Sequence, residues 1–289
     1  MRELLMKIRR VRNITQLELA QYTGVSYATI NRWENEHFIP KKRAQEKLFQ
    51  YCIADDIPIA RMANDKIADA VRTVSLAGRE LLLYHGSRAG LVGEIAPISS
   101  PYSDFGAGFY MGEQPEDPLS LICDSPESKF YLVSVNLEGL KVAVIPDGVE
   151  WAMLVAFHRG KMEERKGTSF YRGYQTFLGH YDMVIARTVT DRMFQLLDDF
   201  YCGNITDICL TKTMAALKPE KQYVAISEKA CQAVKVEQEI PFFWLEKLCL
   251  REVAIQKRAE DASRLEELYQ ESQGKGKYFD EIIGKSRRE

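Results

Sequence analysis

TQLELAQYTGVSYATINRWEN, residues 15–35, spells helix, tight turn, helix. Thr15 caps a short run holding Leu17, Leu19 and Ala20, with Glu18 at its third residue. Gly24 ends the run, and Ser26 opens a second one in which Ile30 and Trp33 fall on one face. Upstream, Leu4, Leu5, Ile8 and Val11 recur at helical spacing. Downstream, Pro40 interrupts, and an amphipathic segment through Ala44, Leu48, Phe49 and Cys52 closes a small bundle over the pair.

Asp55-Asp56-Ile57-Pro58 marks a boundary, so residues 1–55 form one unit. Residues 56–79 form a helical linker whose helix spans 64–79 and stops near Gly78. From residue 80 short strands take over. Leu81–Tyr84, Phe130–Val135, Leu140–Ile145, Tyr181–Ala186 and Gln222–Ser227 are the candidates. Helical stretches lie at Glu150–His158 and Asp191–Tyr201, which makes residues 80–235 an α+β domain. Residues 236–289 are a tail, helical over Pro241–Ser272 and polar enough to fray beyond 273. Phe242, Phe243, Trp244, Leu245, Leu248 and Leu250 lie within nine residues, too apolar for a solvated helix. That segment packs on the second domain or meets another chain. There is no internal repeat.

Of 289 residues, 46% are hydrophobic and 28% charged, with 18 Gly and 10 Pro, which excludes collagenous, low-complexity and disulfide-scaffold classes. The net charge of −2 is unevenly spread. Residues 1–52 hold ten Lys/Arg against five Asp/Glu, an excess of +5, while the other 237 residues hold 29 against 36. This asymmetry points to an anionic partner for the N-terminal unit. Cys52, Cys123, Cys202, Cys209, Cys231 and Cys249 are scattered, with no His at ligand spacing, so reduced thiols and no metal are expected. Asp182 and Asp191 read as caps on backbone N–H groups rather than as a metal pair. No apolar run is long enough to span a membrane, and MRELLMKIRRVRN lacks the continuous apolar stretch of a signal peptide. A cytoplasmic protein without membrane contact is expected.

Residues 15–35 resemble the helix-turn-helix of the lambda-repressor and Cro-like (XRE) family. The physics fits: Gly24 supplies the turn, Ala20 is small where the helices cross, and Val25 and Ile30 plug the space between them. The resemblance implies that the helix beginning at Ser26 enters the major groove of DNA with Tyr27, Ala28 and Arg32 at base edges. Gln16 and Asn35 then hold phosphates. The alternative use of such a motif is dimerisation or partner docking.

Three further segments are informative in combination: Leu83-Tyr84-His85-Gly86-Ser87, Asp104-Phe105-Gly106-Ala107-Gly108-Phe109-Tyr110, and Lys221-Gln222-Tyr223-Val224-Ala225-Ile226-Ser227. In this order they resemble the ADP-ribosyltransferase superfamily of the diphtheria-toxin and poly-ADP-ribose polymerase type. More closely they resemble the bacterial DUF3990 family, rich in the string DFGxGFY. The likeness implies a split β-sandwich with NAD as substrate. The nicotinamide–ribose bond breaks through a ribosyl cation, so the leaving amide must be held and the positive charge stabilised. Gly86 would pair its backbone with the carboxamide, His85 orient a ribose hydroxyl, and Tyr110, exposed by Gly106 and Gly108, stack on the nicotinamide ring. Ser87, Phe105 and Gly108 line the same pocket, and Arg88 would take the pyrophosphate. Leu121 stands where relatives place a second aromatic.

Gln222 occupies the position of the superfamily's catalytic Glu, keeping a hydrogen bond but losing charge. Three outcomes follow: a slow transferase in which Gln222 positions substrate, a transferase whose carboxylate comes from Glu220, or a domain that binds NAD without turnover. The expected function is therefore an NAD-dependent ADP-ribosyltransferase of toxin or effector type with a DNA-binding module. Its acceptor would be a protein or nucleic acid, with water making it an NAD hydrolase, and an antitoxin or a second copy would be its partner. The alternative is a transcription regulator whose degenerate domain binds NAD, ADP-ribose or a partner.

Overall fold

The computed structural model describes residues 1–217, 220–271 and 275–284, with side chains described throughout these except at 191–192, 258–268 and 270–271. Helix α1 (Arg2–Arg12) buries Leu4, Leu5 and Ile8 and ends on Asn13 at φ 51°, a left-handed position that Asn tolerates. Helix α2 (Gln16–Thr23) starts on a capping box between Thr15 and Glu18 and stops at Gly24, φ 62°. Helix α3 (Tyr27–Glu34) is capped by Ser26 and turns Ile30 and Trp33 inward. Helix α4 (Lys42–Ala54) adds Leu48 and Cys52 to the same core.

Helix α5 (Ile59–Thr73) begins earlier than the expected 64–79 and ends well before Gly78. Thr73 Oγ1 bonds back to the Ala70 carbonyl and Val74 turns extended (ψ 126°). The next residues form a turn in which Ala77 N–H donates to the Glu80 carboxylate.

Among the described residues seven strands follow: β1 (Leu81–Ser87), β2 (Phe109–Gly112), β3 (Lys129–Val135), β4 (Val142–Val144), β5 (Met183–Arg187), β6 (Lys221–Ala225) and β7 (Val234–Ile240). Their order in space is β4-β5-β6-β2-β1-β3-β7. All neighbours are antiparallel except β4 and β5. A single seven-stranded sheet thus stands where a split β-sandwich was expected. Its two halves meet only lightly, because the β1–β2 ladder has one register pair, Tyr84 with Gly112.

Both faces are covered. On one, Tyr110, Val184, Ala186 and Val224 pack beneath α7 (Val149–His158), α8 (Asp191–Tyr201) and α9 (Asp207–Ala216). Beside them Phe130 and Leu132 meet α5 and α6 (Glu116–Ile122). On the other face Leu83, Phe109, Met111, Tyr131 and Tyr223 pack with Ala230 and Cys231 of the Glu228–Gln232 helix.

The tail departs from expectation in two ways. Its long helix, Trp244–Glu271, places Leu245 and Cys249 in the core of the N-terminal bundle and Leu250 in the core beneath β3. Gln45 accepts from Leu245 N–H, Lys66 pairs with fully buried Glu246, and the buried Lys247 ammonium donates to the carbonyls of Ser125, Pro126 and Ser128. The segment expected to fray folds as well. Phe279 and Ile283 are buried against Phe200 and its neighbours, because two apolar side chains among polar ones suffice to anchor one turn of helix. Positions 273–274 and 285–289 lie outside the described residues.

Candidate functional site

Two places hold the residues singled out by sequence. The first is the outward surface of α3. Ser26, Tyr27, Ala28, Arg32 and Asn35 are all exposed, while Ile30 and Trp33 are buried. Asn35 donates from Nδ2 to the Asn31 carbonyl at 2.9 Å. Gln16 is differently employed than expected. Its Nε2 donates to Glu34 Oε2 at 2.6 Å and its Oε1 accepts from Asn31 at 3.3 Å, so its amide braces α2 against α3. Glu34, buried, also takes Arg9 at 2.7 and 3.0 Å and holds that guanidinium above its ordinary pKa.

The second place is the centre of the sheet. The register puts Tyr84, Gly112 and Gln222 on one face, hence Tyr110 with them and His85 on the opposite face. The His85 ring stacks on Phe109 at 4.1 Å between centroids, and its Nδ1 lies 2.7 Å from the Tyr110 carbonyl. A carbonyl only accepts, so Nδ1 carries the proton and Nε2 is the acceptor. Burial lowers the His85 pKa, against the opposing hydrogen bond to Tyr110.

Gly86 abuts the chain itself: a Cβ there would lie 2.5 Å from the Pro118 carbonyl oxygen of α6. The close approach expected from a ligand is made by that helix. Tyr110 is not held out by its flanking glycines. Its hydroxyl accepts from Phe105 N–H at 3.0 Å and donates to the Gly106 carbonyl at 2.8 Å, and burial raises its pKa. Gly108 fits because Val224 Cγ1 would come within 2.6 Å of a Cβ. Phe105 is core, Ser87 donates to the Gly90 carbonyl, Arg88 is exposed, and Leu121 is 37% exposed on α6.

Gln222 is 5% exposed and donates from Nε2 to Asp104 at 3.2 Å and to the Arg187 carbonyl at 3.1 Å. Glu220 lies apart, in a crevice of about 230 Å³ with Asp147, Arg187 and Lys221. Asp182 accepts from Lys141 N–H and Ser227 Oγ, as a cap; the side chain of Asp191 is outside the described residues. Sequence reading gave no role to Asp104, Arg159 or His158. Asp104 stood within a quoted motif, but Arg159 Nε and Nη2, at 3.0 and 2.6 Å from its Oδ1, come from 55 positions away. Half-buried His158, with its Nε2 enclosed, carried no signal at all. Its pKa is pushed down to about 4 by burial.

The model of a family described as "Protein of unknown function (DUF3990)" matches residues 81–236, more than half of the chain. The chain belongs to the DUF3990 family. The DUF3990 match runs from β1 into β7, so it contains the whole sheet apart from the last residues of β7. A second family model, described as helix-turn-helix, matches residues 5–51, which include α2 and α3. No curated protein and no solved structure matches the chain. Among the described residues no helix is long and apolar enough to cross a membrane, and no group of three or more His, Cys, Asp or Glu could hold a metal ion.

Proposed function

We propose that the chain binds duplex DNA through α3 and that its DUF3990 domain takes NAD. The observation that carries the first half is the division of α3. Its apolar residues close the bundle, leaving Tyr27, Ala28, Arg32 and Asn35 outward on a unit with an excess of +5 charge. Titration of a labelled fragment of the gene's own promoter, at several salt concentrations, tests it. Binding that weakens steeply with salt supports the reading, and salt-independent binding opposes it.

The second half rests on the resemblance of the three motifs and on the light joint between β1 and β2. Only Tyr84 and Gly112 pair there, and the backbone of His85–Ser87 beyond that pair has no β2 ladder partner. An ADP-ribosyltransferase reading uses this region to hold NAD while the nicotinamide–ribose bond breaks and an acceptor in protein or nucleic acid takes the ribose. Gln222 favours a second reading, a regulator whose domain binds NAD or ADP-ribose without turnover, because the amide brings no charge to a developing cation. Incubation with labelled NAD and lysate separates them. Nicotinamide release lost in His85→Ala and Tyr110→Ala marks the enzyme; NAD binding without release marks the regulator.

A further inference from the structure

Asp104 lies in the turn before β2, with its side chain 15% exposed. Arg159 occupies its Oδ1 through two nitrogens, and Gln222 Nε2 donates to its Oδ2. The same nitrogen donates to the Arg187 carbonyl, which also takes the Trp151 indole N–H at 3.2 Å. A carboxylate and a backbone carbonyl are both obligate acceptors, so the amide at 222 has only one satisfactory orientation, nitrogen inward to both. A Glu at 222 would face a carboxylate and a carbonyl with no hydrogen to offer either. The identity of residue 222 is thus tied to Asp104. Gln222 Oε1, turned the other way, accepts no hydrogen bond among the described residues.

We infer that Asp104 is a positioning residue, which fixes the Gln222 amide so that its carbonyl oxygen receives a hydroxyl of the ligand. The Asp104 turn is itself fixed. Phe105 N–H donates to the Tyr110 hydroxyl, and the Arg159 guanidinium lies 4.8 Å over the Phe194 ring. The group recognised is a hydroxyl donor on a sugar, and in NAD that means a ribose hydroxyl. This rests on the NAD reading of the DUF3990 domain.

The test uses the full chain, with NAD and with NAD analogues lacking one ribose hydroxyl, bound to wild type, Asp104→Ala and Gln222→Ala. Wild type should prefer NAD over one analogue by about tenfold, the worth of one buried hydrogen bond, and both variants should bind the two alike. A purely structural Asp104 would lower melting temperature while leaving that preference intact, which would overturn the inference. A second arm needs no ligand. Gln222→Glu should melt lower than wild type, and the pair Asp104→Asn with Gln222→Glu should regain part of the loss, since an amide then again faces a carboxylate. A double variant no more stable than Gln222→Glu also overturns it. If wild type binds no NAD, the NAD reading itself falls; if it binds but shows no preference lost in Asp104→Ala, only the positioning role falls.

Discussion

Arg32 presents its side chain to solvent from the face of α3 opposite Ile30. Replacing it with Ala should cost about 1–3 kcal/mol of affinity for promoter DNA and leave the fold intact, measured by fluorescence anisotropy beside thermal melts. His158 supplies a prediction of another kind. Burial holds its pKa at about 4, below the ordinary 6.5, so between those values the unfolded chain binds a proton that the folded chain refuses. Stability therefore falls as pH drops through that window, by roughly 2 kcal/mol between about pH 7 and pH 5. Half-buried His85, whose pKa is also lowered by desolvation, adds in the same direction. Urea unfolding at the two pH values should show the loss, and His158→Gln should flatten it. At this scale the sequence was legible where a residue acts locally: Thr15, Gly24 and Ser26 announced their caps. It was silent where a partner arrives through tertiary packing, as Arg159 does at Asp104 and Glu34 does at Gln16.

Elements add a constraint that single residues do not show. Strand β1 and helix α6 touch through Gly86 and the Pro118 carbonyl, and backbone cannot swing aside as a flexible side chain would. Gly86→Ala should thus destabilise the chain by roughly 1–3 kcal/mol, seen as a lower denaturant midpoint at unchanged slope. Strands such as Phe130–Val135 were readable as apolar runs because the sheet is buried on both faces there. Strand β2 escaped because it has only four residues and follows glycines, and β7 because VKVEQEI is an edge strand with mostly solvated side chains. Helix ends were harder. Nothing in NDKIADAVRT revealed that α5 would stop at Thr73, since the stop is made by a side-chain bond back to the helix and by the turn feeding β1.

At the scale of the molecule, the Trp244–Glu271 helix joins the two family-matched regions into one packed body. Leu245 is fully buried among Leu5, Ile8 and Leu48 of the N-terminal bundle, while Leu250 sits with Phe130 and Leu132 of the sheet. Leu245→Ala should lower stability by about 2–5 kcal/mol. Hydrogen exchange should then quicken at amides of α4, far away in sequence but adjacent in space. Equilibrium unfolding of the wild type should follow one transition by near- and far-ultraviolet probes alike; two separate transitions would contradict the shared core. That sharing bears on synthesis. The bond between Gln45 and the Leu245 amide spans 200 positions, so a ribosome has to finish the entire sheet before the nucleic-acid reader acquires its last wall. A prematurely terminated chain accordingly emerges with an open, greasy flank where a finished one carries a sealed bundle.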